Sequence, residues 1–197
     1  MLDHLARAME RPPVQLDAEP HHQAAVVAVL YGEPPSVLLI ERATVPGDPW
    51  SGHLAFPGGR REPHDETLRH TAARETMEEL GLDLSDARWL GALDDVGPVS
   101  QRKPLVVRPF VVHVPRLPEL RPNREVAGIL DLTLSHLLAN RDRGTMPYVF
   151  RNQSITLPTV QIGSRRLWGM TLRMVDDLLH RLDGGGVGLA RQPGSPG

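Results

Sequence analysis

Between Gly58 and Leu82 the chain reads GGRREPHDETLRHTAARETMEELGL, and this stretch limits the possible folds more than any other. Its second half must be helical. Leu68, Ala72, Thr76 and Leu80 form one i, i+4 row, and Gly81 stands where a C′ residue ends a helix. Asp65 is the expected N-cap, with Glu66 in the first turn, where the helix dipole favours negative charge. The same helix carries Glu75, Glu78 and Glu79 at i, i+3 and i+4, so their carboxylates share one side. Like charges so spaced cost about 0.2–0.5 kcal/mol per pair, and they crowd the last turns, where the dipole disfavours anions.

At about 100° per residue, Glu79 falls between Leu68 and Ala72, on the apolar arc of the helix. An unpaired carboxylate there is costly. A Glu-rich helix taken alone is more often a solvated acidic face. A divalent cation would remove all three penalties, and a few hard oxygen ligands suit Mg²⁺ or Mn²⁺.

Around this segment the sequence reads as one α/β domain of the α+β kind. Ala24–Tyr31 and Ser36–Glu41 are apolar runs separated by Gly32-Glu33-Pro34-Pro35, hence two strands and a turn. A Gly/Pro loop covers 45–52, and a short strand is expected at 53–56. Further strands are expected at 88–93, 105–114, 125–130 and 154–157. Helices are expected at 133–139, with Thr133 as N-cap, and at 171–182. The 197 residues suit a single domain over 24–183, preceded by an arm at 1–23 that is at most a short amphipathic helix. A Gly/Pro-rich tail from 184 is expected to be disordered.

Composition excludes more than it assigns. There is no cysteine, so disulfides, thiolate-zinc sites and cysteine nucleophiles are ruled out. A net charge of -2 gives no reason to expect a nucleic-acid or membrane partner. No apolar run has signal-peptide or bilayer-spanning length, so a cytoplasmic location is the default expectation. The histidines show no metal-ligand spacing; His64 and His70 are expected to face solvent.

Arg74-Glu75-Thr76-Met77-Glu78-Glu79-Leu80-Gly81-Leu82 resembles the core of the Nudix box, with Thr76 the weakest position. Gly59 and Glu66 lie upstream, Glu66 eight positions before Arg74 as in the family. Six residues separate Gly59 from Glu66 where the family has five, and Asp65 holds the acidic place counted from the glycine. Which of the two fills the role stays open on sequence. A longer likeness, over most of 24–182, is to coenzyme A diphosphatases. It rests on Leu38-Leu39, Arg42-Ala43, Gly52, Phe56-Pro57-Gly58-Gly59, Asn123-x-Glu125-Val126 and Leu167-Trp168-Gly169-Met170-Thr171. Ile40 stands in place of a usual threonine, the stretch from Arg42 to Gly52 is one residue longer, and an interior arginine is missing.

The resemblance implies an α/β/α sandwich around a mixed sheet, and hydrolysis of the diphosphate of a nucleoside diphosphate derivative with Mg²⁺ or Mn²⁺. Coenzyme A or acyl-CoA is the first substrate it points to, yielding 4′-phosphopantetheine and adenosine 3′,5′-bisphosphate. NADH, ADP-ribose, sugar nucleotides and dinucleoside polyphosphates are alternatives, as is a non-catalytic nucleotide sensor. Isopentenyl diphosphate isomerase shares the fold but works through a cysteine, which this chain lacks. Glu75, Glu78 and Glu79, with Gly59, form the expected metal set, and Glu125 is the candidate general base. Arg74 is expected to orient a box glutamate, supported by Gly58 and by Asp65 or Glu66. Arg42, Arg60 and Trp50 are candidate substrate contacts; a tryptophan in a Gly/Pro loop is more often a packing anchor, and exposed arginines after a glycine turn are common. Trp168 is expected in the core. A homodimer is left open.

Overall fold

The central strand of the molecule is apolar from Ala24 onward because it is covered on both faces. The structure, a computed structural model, describes residues 2–47, 50–97, 105–139, 142–150 and 153–183. Strand β1 (Gln23–Tyr31) runs parallel to β6 (Val106–Val114) from Gln23↔Val106 to Tyr31↔Val114. Its other edge is divided. The start pairs with β4 (Gly58–Arg60), and the end pairs with β2 (Ser36–Arg42) at Leu30↔Val37. With β3 (Leu54–Ala55), β5 (Arg88–Ala92) and β7 (Val126–Thr133), these make a mixed sheet in the order β3–β2–β1–β6–β5, with β4 beside β1 and β7 beside β2.

Alternate residues of β1 feed two separate cores. Ala25, Val27 and Val29 join Leu38, Ile40, Ala72 and Leu80 under helix α2 (Leu68–Leu80). Ala24, Ala28 and Leu30 join Val37, Leu39 and the apolar face of α4 (Gly169–Leu182) on the other side. Helices α1 (Leu2–Ala8) and α3 (Leu134–Ala139) pack against α4, so the sheet lies between helical layers as expected. The N-terminal arm is joined to this second core: Leu5 and Met9 are buried in it, and Asp94 and Asp95 accept from the Val14 and Leu16 amides. No helix among the described residues is long and apolar enough to cross a membrane.

The helix row Ala72, Thr76, Leu80 is buried as read from sequence, and Gly81 closes α2 at φ 64°. Thr133 caps α3 through its hydroxyl, 3.2 Å from the His136 amide. Other expectations need correction. The N-cap of α2 is Thr67, whose hydroxyl accepts from the His70 amide at 3.1 Å; Asp65 lies outside the helix and Glu66 outside its first turn. The strand expected at 154–157 is β9 (Gln153–Ile162), flanked by unforeseen strands β8 (Arg143–Phe150) and β10 (Arg165–Trp168) in a separate three-stranded sheet. Trp168 is half-buried at the edge of that sheet, outside both cores. The tail at 184–197 lies outside the described residues.

Candidate active site

Arg74 organises the acidic helix. Its guanidinium reaches back nine residues to Asp65, with Nε 3.0 Å from Oδ1 and Nη2 2.9 Å from Oδ2. Asp65 is 2% exposed and also accepts from the Thr71 hydroxyl and the Glu62 amide. The Arg74 bond, aided by these donors, holds its carboxyl well below the usual range. Of the two acids that sequence left open, Asp65 takes the buried position against Arg74, and Glu66 is exposed. The other prong of Arg74, Nη1, donates to Glu75 Oε1 at 3.1 Å and to Glu78 Oε1 at 3.3 Å, while Nη2 also reaches the Arg60 carbonyl.

Glu79 is the unusual carboxyl. It is 3% exposed, and the Gly58 amide donates to its Oε2 at 2.8 Å. Burial pushes it up to about 7; the Gly58 bond and the Arg42 charge oppose that rise, and the charges of Glu75 and Glu125 add to it. Burial also raises Glu75, against Arg74, with the charges of Glu78 and Glu125 adding to the rise. Both are therefore acids whose ionisation the fold resists. Glu78 is on the same side of α2, more than half exposed.

The glycine pair fits β4 against β1 and α2. A Cβ on Gly58, which sits at φ 144°, would come within 2.2 Å of the Ala25 carbonyl oxygen. A Cβ on Gly59 would instead strike the Glu75 carboxylate at 2.4–2.5 Å. Gly59 thus leaves room for the acid rather than for the turn alone.

Glu125 is brought to the site by its backbone. The Arg121 and Asn123 amides donate to the carbonyls of Leu80 and Glu79 at 2.7 and 2.8 Å, closing the end of α2. The Glu125 amide then donates to Asn123 Oδ1, and the Glu125 carbonyl accepts from Ala43. Its side chain is exposed, yet its charge acts on both Glu75 and Glu79. Arg42 sits at the end of β2, and Arg60 is exposed beside the helix. Trp50, 36% exposed, lies in the loop that folds back on Arg42, where the Gly52 amide donates to the Arg42 carbonyl. Asn123 and Thr71 are site residues that sequence reasoning passed over; Asn123 was part of a quoted motif but had no role, and Thr71 lay hidden in the apolar pattern of α2.

Among the described residues, no three acidic or histidine side chains already form a group able to hold an ion. The donor set nevertheless fits a small hard cation. It offers oxygen only, Glu79 is buried and Glu75 half-buried with their charges repelling, and Gly59 leaves the space beside Glu75 clear.

Comparison with known proteins places these features in a family. The NUDIX domain family matches residues 21–149. The chain is 37% identical over 138 residues to the human mitochondrial coenzyme A diphosphatase NUDT8, covering 66% of this chain and 56% of that protein. Mouse NUDT8 is also 37% identical, over 61% of this chain and 58% of its own length. The chain thus spans a little over half the length of these two relatives. An uncharacterized Nudix hydrolase, NudL of Photorhabdus laumondii, is 28% identical and matches 87% of this chain and 90% of its own. Among solved structures, the NUDIX domain of Shewanella oneidensis NrtR, complexed with ADP ribose, superposes with a TM-score of 0.55 at 15% identity, covering 85% of this chain and 90% of that one. A MutT/nudix family protein from Enterococcus faecalis gives 0.55 at 16% identity, over 93% and 70%. With its match over residues 21–149, the chain belongs to the Nudix family.

Proposed function

We propose that this chain hydrolyses the diphosphate linkage of a nucleoside diphosphate derivative in the presence of Mg²⁺ or Mn²⁺, with coenzyme A or an acyl-CoA as substrate. One observation carries the chemistry: a carboxyl group on the family's acidic helix, Glu79, is buried beside two other acids and held by the Gly58 amide. Burial and the neighbouring acids cost more than the Gly58 bond and the Arg42 charge return. The likeness to NUDT8 supports the choice of coenzyme A; the chain's departures at Ile40 and in the loop after Arg42 weigh against it.

Glu75, Glu78, Glu79 and the backbone at Gly59 would hold the ion. Once bound, it supplies positive charge against the diphosphate oxygens and lowers the pKa of water in contact with it. The remaining work belongs to the chain. Arg74 keeps Glu75 in one orientation while Asp65 anchors Arg74 itself. Glu125 stands where an exposed carboxylate can take a proton from attacking water, its backbone fixed and its side chain able to turn. Arg42, Arg60 and Trp50 line the approach as substrate contacts, Arg42 being the one whose charge reaches Glu79.

The deciding experiment incubates the protein with Mg²⁺ or Mn²⁺ and coenzyme A, acetyl-CoA, NADH, ADP-ribose, a sugar nucleotide and a dinucleoside polyphosphate, with products identified by mass spectrometry. The expected products from coenzyme A are 4′-phosphopantetheine and adenosine 3′,5′-bisphosphate. Faster turnover of NADH or ADP-ribose would replace the substrate and keep the chemistry. No turnover of any compound would leave a nucleotide-binding module.

A further inference from the structure

Three aromatic side chains from separate segments meet where the small sheet packs against β3, and the chemistry above does not use them. The rings of His53 and Trp168 are 4.7 Å apart, edge to face, and those of Trp168 and Tyr148 are 5.6 Å apart and tilted. His53 stands just ahead of β3, Tyr148 near the end of β8 and Trp168 at the end of β10. None belongs to either core; Tyr148 is 39% exposed and the other two are half-buried. Rings recruited only to fill space would be enclosed. These stay open to solvent where β10 packs against β3.

Their position gives them a use. The Arg42 amide donates to the His53 carbonyl at 3.0 Å, and the charge of Arg42 acts on Glu79. The rings therefore begin directly across the backbone from Arg42, whose neighbour Ala43 donates its amide to the Glu125 carbonyl at 2.8 Å. Glu41, the neighbour of Arg42 on β2, is bonded to Arg165 of β10 at 2.6 Å, which ties the small sheet to this end of β2.

We propose that His53, Trp168 and Tyr148 form a platform on which the base of a nucleoside diphosphate substrate stacks while its diphosphate lies against Glu75 and Glu79. This rests on the hydrolase reading and adds where the base is held. Stacking depends on ring area and tolerates any base, so the platform recognises a flat ring rather than one nucleobase. Trp168 lies beyond residue 149, where the family match ends, so this recognition comes partly from sequence outside the matched domain.

The test uses full-length Tyr148→Ala and Trp168→Leu, with Trp168→Phe as the variant that keeps a ring, each first checked for cooperative thermal unfolding. For an adenine-containing diphosphate substrate, KM should rise roughly tenfold in the first two. The loss should fall on KM rather than kcat, and Trp168→Phe should recover most of it. A base-free diphosphate diester of equal charge should show no such rise. Equal losses on both compounds mean that the rings only position the small sheet, and they overturn the proposal; so does an unchanged KM. A second arm needs no turnover: adenosine monophosphate should quench tryptophan fluorescence saturably in the wild type, and at roughly tenfold higher concentration in Tyr148→Ala and Trp168→Leu, while ribose 5-phosphate gives no quench. A quench without hydrolysis of any nucleotide would sink the hydrolase reading and leave the platform standing; hydrolysis with neither quench nor KM effect does the reverse.

Discussion

With no ion present, an ionised Glu79 sits among buried groups and two other acids, and each raises the free energy of the folded state. Its folded value near 7 lies above the ordinary 4.5, so between those values the folded chain holds a proton that the unfolded chain has released. Stability in a chelator should therefore fall as pH rises from about 4.5 to about 7, by up to about 3 kcal/mol, and stay reduced above that. Glu79→Gln should melt at a higher temperature than wild type at pH 8 in chelator, the gain vanishing near pH 4, while kcat falls ~10²-fold or more. A lower melting temperature at pH 8 would show that the acid is not under strain. Arg74→Ala should behave in the opposite way, stranding a buried Asp65 at a cost of about 3–5 kcal/mol, read from the denaturant midpoint. Arg74→Lys should rescue little, because an ammonium cannot make the two-pronged bond. Glu79 was legible in the sequence because it broke a pattern, an acid on an apolar arc. Asp65 against Glu66 was not, since both types suit a helix start and only the position of Thr67 as cap leaves Asp65 free to face Arg74.

The two glycines of β4 make a paired test of what a short strand contributes. Gly58→Ala meets backbone at 2.2 Å in a conformation that alanine rarely adopts, so it should destabilise the fold and lower the melting temperature. Gly59→Ala meets only the flexible end of Glu75, so it should keep the fold and lose activity. If both variants melt like wild type and turn over normally, the close packing of β4 on α2 is unimportant. Strand β4 escaped sequence reading because a Gly-Gly pair carries no strand propensity and is held in place by β1. Strands β8 and β10 escaped for related reasons: one contains Pro147, the other is four residues long with two arginines, and their pairing with β9 supplies what composition does not. By contrast, β1 and β2 were plain in the sequence, because burial on both faces leaves a nearly continuous apolar run.

Across the whole molecule, the two cores divide the labour. One carries α2 and its acids, and the other fastens α4 and the N-terminal arm to the back of the same sheet. Leu5→Ala should cost about 2–5 kcal/mol in a denaturant titration, since the side chain is fully buried, while leaving kcat of the folded fraction unchanged. A drop in kcat with full stability would mean that the arm touches the site. The layered architecture was implied by the family resemblance, with which the strands and helices read from the residues were compatible; the anchoring of the arm through Asp94 and Asp95 was not foreseen, because those bonds join residues some eighty positions apart. The amides of Arg121 and Asn123 are committed to the last carbonyls of the acidic helix, and this governs how the protein can diverge. Insertions ahead of residue 120 can lengthen the connection without moving the later acid, whereas one added residue between 121 and 125 would shift it out of register. Relatives should therefore vary in length before that pair of amides and keep strict spacing after it.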